Sequence, residues 1–225
     1  MIRFTDVMIG FKYPLTNKIN INIEDGQWFG IIGKNGSGKS TLLKTILGII
    51  KPLSGKVEVL DAKPGIKNKL ISYIPQEREI NLTDSMTGFS LIKNSCYGWG
   101  FNFNIAKNNK KIFELLELVG ADEFMSQSFN SLSGGQKKRI YLVQALISNP
   151  KLLLLDEPLA DLDPEARKHF IISLKKIQEE KKIGLLIISH DMHEIANYLN
   201  GFIHFNDKFI HQCVDLPCAN KDSYV

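Results

Sequence analysis

Cysteine is scarce in this chain of 225 residues: Cys96, Cys213 and Cys218 do not make a disulfide framework. A charged leader followed by an apolar signal core is also missing, and the two absences together point to a reducing cytosol. No apolar run approaches the roughly 20 residues that a helix needs to cross a bilayer, so any membrane attachment is expected to be peripheral or through a partner. Charge of one sign is in small excess, +4 formally, with lysines in short runs such as Lys110-Lys111, Lys137-Lys138-Arg139, Lys175-Lys176 and Lys181-Lys182. No aromatic-studded basic strand accompanies these runs, so they read as solvated helix faces and no direct nucleic-acid partner is expected. Long internal repeats and low-complexity tracts are absent as well.

What is present is enough apolar material, 44% of the residues, for one domain with a substantial core and room for an inserted subdomain. Short strand-like segments, Ile2 to Val7, Ile19 to Ile23 and Phe29 to Ile32, open the chain. A helix is expected from Thr41 to Ile49, then strands at Lys56 to Leu60 and Lys69 to Ile74. Between residues 77 and 131 the character changes. A Gly-, Asn- and aromatic-rich stretch, Tyr97 to Phe103, precedes an amphipathic helix from Lys110 to Val119. A further helix, Gly135 to Ser148, leads into the apolar strand Leu152 to Leu155; helix Pro164 to Glu180 and strand Ile183 to Ser189 follow. That alternation predicts a largely parallel sheet. Two short strands, Phe202 to Phe205 and Phe209 to Val214, and a loose terminus complete the reading.

Gly33-Lys34-Asn35-Gly36-Ser37-Gly38-Lys39-Ser40 lies between the apolar run Trp28 to Ile32 and the segment that opens at Thr41. Strand, glycine-rich loop and helix in this order form a triphosphate cradle: consecutive backbone N–H groups face the phosphates, Lys39 neutralises β- and γ-phosphate charge, and Ser40 offers a hydroxyl to magnesium. Leu152 to Leu155 delivers Asp156 and Glu157 to the C-terminal end of a buried strand, the edge where ligands collect in open parallel sheets. Asp156 is expected to meet a magnesium ion held by the phosphates, and Glu157 to face the attacking water as general base. Gln76, after a strand and Pro75, is a candidate for magnesium and water contact or, alternatively, a surface residue. His190, after the strand ending at Ser189, is a candidate for the γ-phosphate or, alternatively, a capping histidine. Leu132-Ser133-Gly134-Gly135-Gln136 offers a second anion-binding arrangement, a hydroxyl and unobstructed amides ahead of a helix, or, alternatively, a simple N-cap and tight turn. Two such surfaces in one chain suggest two copies arranged head-to-tail, each ATP touching Lys39 of one copy and Ser133 of the other.

At these positions the chain resembles the nucleotide-binding subunit of an ATP-binding cassette (ABC) transporter. The family's phosphate loop is matched by Gly33 to Ser40, its glutamine loop by Gln76, and its signature by Leu132 to Gln136. Its acidic strand is matched by Leu152 to Glu157, its aspartate loop by Ala160-Asp161-Leu162-Asp163, and its switch histidine by His190. The resemblance implies an α/β fold: a P-loop core with a mixed, largely parallel sheet, an N-terminal antiparallel β subdomain and an inserted α-helical subdomain. It implies core segments at 1–76 and 149–225 and a helical subdomain at 77–148. ATP and Mg2+ are the implied cofactors. The implied cycle is ATP-driven closure of a pair of cassettes, hydrolysis and reopening, with Asp163 communicating between composite sites and Glu77 to Phe89 receiving a membrane subunit.

The implied partners are a second, identical nucleotide-binding subunit, transmembrane permease subunits and an extracytoplasmic solute-binding protein. The implied location is the cytoplasmic face of the cell membrane. For adenine stacking the family spacing favours Phe11, with Tyr13 the alternative. Lys138 stands where a glutamine is common and Gln144 where an arginine is common, which puts salt bridging from helix to core in question. Glu157-Pro158-Leu159-Ala160 and the short tail are similar to zinc or manganese uptake systems. His211, Cys213 and Cys218 are read as part of a strand and terminus before a metal sensor. Related cassettes also act as soluble switches on ribosomes or nucleic acid, but those resemble tandem cassettes or carry long coiled-coil insertions, and this chain shows neither.

Overall fold

The uninterrupted apolar runs become inner strands of a six-stranded sheet in the computed structural model, which describes residues 1–76, 86–98, 105–189, 192–206 and 209–213. In chain order the elements are β1 (Ile2–Met8), β2 (Ile19–Ile23), β3 (Trp28–Gly33), α1 (Lys39–Ile46), β4 (Ser54–Val59), β5 (Ile71–Ile74) and α2 (Gly88–Gly98). They continue as α3 (Ile105–Val119), α4 (Gly134–Leu146), β6 (Leu152–Asp156), α5 (Pro164–Lys181), β7 (Gly184–Ile188), β8 (Gly201–Asn206) and β9 (Phe209–Cys213). The large sheet has the order β5-β6-β7-β3-β8-β9, parallel as far as β8 and closed by the antiparallel β9. A separate antiparallel sheet has the order β2-β1-β4. This is the mixed α/β fold that the sequence predicts.

Strand periodicity explains why β6 and β7 are apolar at every position. Leu153, Leu155, Leu185 and Ile187 enter a core built with the helices, while Leu152, Leu154, Leu186 and Ile188 enter a second core shared with α1 and the antiparallel sheet. Each such side chain, fully buried, stabilises the fold by about 1.5–3 kcal/mol relative to exposure. Helices α2 to α5 pack on the first core. In α3 the buried residues Ile112, Leu115, Leu116 and Val119 recur at helical spacing, and Ser173 of α5 donates to the Val119 carbonyl at 2.9 Å. The Trp28 indole N–H donates to the Ile183 carbonyl at 2.7 Å and fixes β3 beside the turn that enters β7.

Several boundaries differ from the sequence expectation. The helix expected from Thr41 starts at Lys39 and ends at Ile46, because Gly48 adopts φ 74 and its Cα packs against Gly65. The strand expected from Lys69 starts at Ile71: Asn68–Leu70 form a 3-10 turn in which the Asn68 amide donates to the Leu47 carbonyl at 3.0 Å. Helix α2 occupies a stretch for which no individual helix was expected, and its Leu91 and Ile92 are buried. Helix α3 begins five residues before Lys110. Expectations on 77–85, 99–103, His190, Val214 and Cys218 lie outside the described residues. Among the described residues no helix is long and apolar enough to cross a membrane.

Candidate functional site

Because β5, β6, β7 and β3 run parallel, their C-terminal ends share one edge. Register makes the placement specific: Ile188 pairs with Asp156 on one side and with Ile31 on the other. The carboxylate strand and the glycine loop after β3 therefore meet at one level, across β7. Gly38 stands at the N-cap of α1 with φ 106, a left-handed conformation that suits glycine, and no side chain caps this helix. The first turn of α1 therefore lacks the side-chain cap that a serine or aspartate would supply. Lys39, in that turn, donates from Nζ to the carbonyls of Gly33 at 2.7 Å and Lys34 at 3.0 Å. The Ser37 hydroxyl oxygen is buried in the loop without a hydrogen-bond partner among the described residues.

These groups border a cleft of about 580 Å³ lined by Asn35, Gly36, Gly38, Lys39, Ser40 and Thr41 on the loop side. Gln76, Asp156, Glu157 and Ile188 line it from the strand ends, and Phe11 and Leu15 from the loop after β1. Asp156 and Glu157 are both buried. Glu157 takes φ 48, an uncommon conformation for a residue with a Cβ, and its N–H donates to the Ile188 carbonyl at 2.9 Å. Burial pushes the Lys39 ammonium below its ordinary pKa, while the Glu157 and Asp156 carboxylates draw it back upward. A cation and two carboxylates share one partly desolvated space, the arrangement that phosphate chemistry with a divalent ion requires.

Tyr73, which sequence reasoning missed, donates its hydroxyl to Asp156 Oδ2 at 3.2 Å. Its phenol is pushed up to about 12, by burial first and then by the Asp156 charge and the hydrogen bond to it. The alternation of β5 signals this placement: Tyr73 pairs with Leu154, two residues before Asp156.

The second glycine turn is built differently. Ser133 is the N-cap of α4 in a capping box: its hydroxyl accepts from the Gln136 N–H at 3.3 Å, and the Gln136 side chain accepts from the Ser133 N–H at 2.9 Å. Gly135 is required by packing, because a Cβ there would lie 2.7 Å from the Cβ of Ala166 in α5. Ser133 and Gly134 are exposed, and none of the residues Ser133 to Gln136 lines the cleft of its own chain. Asp163 caps α5, accepting from the Ala166 N–H at 2.9 Å, and is also outside the cleft. Phe11 is 67% exposed at the cleft rim; Tyr13 is not a lining residue and has the Lys12 ammonium 5.8 Å from its ring centroid. Lys138 joins α4 to the core by a hydrogen bond to backbone, its Nζ donating to the Ala160 carbonyl at 2.5 Å. Gln144 donates to the Ser95 hydroxyl.

With this geometry in view, a family model described as ABC transporter matches residues 16–160. The chain belongs to the ABC transporter family. As a cassette of that family it is an ATPase. It is 33% identical over 205 residues to the manganese transport system ATP-binding protein MntB of Listeria monocytogenes, covering 90% of this chain and 85% of that protein. It is 30% identical over 207 residues to the high-affinity zinc uptake system ATP-binding protein ZnuC of Bacillus subtilis, covering 90% of each. Among solved structures, it resembles the dimeric post-hydrolysis state of the ATP-binding cassette MJ0796 bound to ADP and Pi. That match has a TM-score of 0.77 and 25% identity over 94% of this chain and 97% of the other.

Proposed function

We propose that this ABC ATPase works as a head-to-tail pair of identical copies, powers import of a divalent metal ion through separate permease subunits, and sits at the cytoplasmic face of the membrane by holding them. The observation that carries the pairing is the asymmetry of the two glycine turns: the lysine-bearing loop and both carboxylates share one cleft, while the Ser133 turn is exposed outside it. The dimeric form of MJ0796 supports it. Manganese and zinc as cargo rest on the systems to which MntB and ZnuC belong. The division into core segments 1–76 and 149–225 and a helical unit 77–148 fits helices α2, α3 and α4 falling between β5 and β6.

In the proposed site Lys39 and the amides of Gly33 to Thr41 hold the β- and γ-phosphates, and Phe11 stacks on adenine. Glu157 accepts a proton from the water that attacks the γ-phosphoryl group, and Gln76 and His190 orient that water. Ser133 to Gln136 of the opposed copy meet the same γ-phosphate, and Asp163 links the two composite sites. Mg2+ fits the donors on the cleft wall: the Ser40 hydroxyl, the Gln76 carbonyl and the Asp156 carboxylate are hard oxygen ligands, and Tyr73 fixes one carboxylate oxygen. When bound, the ion offsets the negative charge of the transferring phosphoryl group.

The test is mild detergent extraction followed by ATPase assay. Co-purification with a multi-span protein, turnover stimulated by it, and manganese or zinc uptake that fails in Glu157→Gln support the proposal. A soluble complex with no membrane partner, whose turnover rises with RNA or DNA and falls steeply with salt, overturns it.

A further inference from the structure

Lys138 lies in the second turn of α4, and its ammonium leaves that helix to bond the Ala160 carbonyl at 2.5 Å. Ala160 ends the turn that begins at Glu157, since its N–H donates to the Glu157 carbonyl at 3.2 Å. At the start of the turn Glu157 holds φ 48, a backbone state that persists where its surroundings fix it. Arg167 of α5 grips the next part of the same segment, donating from Nε to the Leu162 carbonyl at 3.0 Å and pairing with Glu194 at 3.7 Å. The segment carrying Glu157 is therefore held by cations from two helices. The charge of Lys138 also faces the carboxylates of Asp161 and Glu157, with Arg167 opposing it. Burial lowers the Lys138 pKa, and the two carboxylates draw it back upward.

The helix that carries Lys138 is the one capped by Ser133, five residues and about 7.5 Å away along a rigid rod. We infer that Lys138 is a positioning residue that couples the exposed Ser133 turn of a chain to the placement of Glu157 in the same chain. Contact between Ser133 and the opposed copy's nucleotide shifts α4, and Lys138 passes that shift through the Ala160 carbonyl to the turn that aims Glu157 at its own nucleotide. The inference rests on the proposed head-to-tail pairing and on the proposed role of Glu157 as the base.

Three substitutions of the full-length chain test it, read as kcat, KM and the affinity for ADP. Lys138→Met removes donor and charge and should lower kcat about tenfold while KM and ADP affinity stay within about twofold. Lys138→Arg, which restores both, should recover kcat to within about threefold of the original; Lys138→Gln, a donor without charge, should fall between. A Lys138→Met kcat within twofold of the original, a loss confined to KM, or equal losses in the Met and Arg variants would overturn the inference. Glu157→Gln run in parallel separates the two levels: its loss of turnover beside an unchanged Lys138→Met defeats the coupling alone, whereas its full turnover defeats the base assignment beneath it.

Discussion

Two turns in this chain read alike, a serine and glycines leading into a helix, yet the fold completes one and leaves the other open. At Ser133 the capping box satisfies the Ser133 and Gln136 N–H groups, so the start of α4 is in part closed locally. At Gly38 no side chain caps α1, and the helix start opens on a cleft shared with Lys39, Asp156 and Glu157. The difference teaches that a glycine-rich helix start becomes a phosphate site within one chain only where the cap is withheld and counter-charges converge. A capped turn on the surface needs an opposed molecule to give it that role.

The largest effect is expected at the open turn. Glu157→Gln should lower turnover at least about 100-fold while ATP binding persists, as expected for loss of a general base. Unchanged steady-state hydrolysis, measured as phosphate release, would remove Glu157 from the chemistry. Lys39→Ala should weaken ATP binding about 30-fold, the scale of lost charge-assisted hydrogen bonds, as titration calorimetry would report. Normal affinity there would erase the contrast between the two turns.

Ser133→Ala sharpens the comparison from the other side. It should cost about 1 kcal/mol of stability through the lost cap, lower turnover about tenfold, and leave ADP binding to the single chain unchanged. Weakened ADP binding would place Ser133 in the cleft of its own chain. The smallest effect concerns Tyr73. Its phenol is raised from 10.0 to about 12, so the folded chain holds that proton more tightly than the unfolded one. The stabilisation is complete below pH 10 and fades as pH rises to about 12. Tyr73→Phe should therefore flatten the fall in denaturation midpoint across that window, and an unaltered slope would deny the Asp156 contact.

Most of the sheet was legible because Leu152 to Leu155 and Leu185 to Ile188 are apolar at every position, as strands covered on both faces must be. The meeting of the glycine loop and the carboxylates at one sheet edge was legible too, since both stand in sequence at strand ends, whereas Leu15 on the cleft wall was not. Helix α2 was not: two buried residues, Leu91 and Ile92, among serine, asparagine and glycine give a weak helical stripe. Tyr73 and Lys138 show the other limit. Their partners, Asp156 and the Ala160 carbonyl, come from distant segments, and nothing in the spacing names a backbone carbonyl as a partner.

The most direct test of shared nucleotide enclosure mixes two impaired variants, Lys39→Ala and Ser133→Ala, and measures ATP turnover. In a head-to-tail pair one composite site collects both defects and the other receives neither. Random pairing should then recover about a quarter of the original turnover, half the pairs being mixed with one of two sites intact. Turnover no higher than the mean of the two variants assayed separately would contradict enclosure between opposed copies.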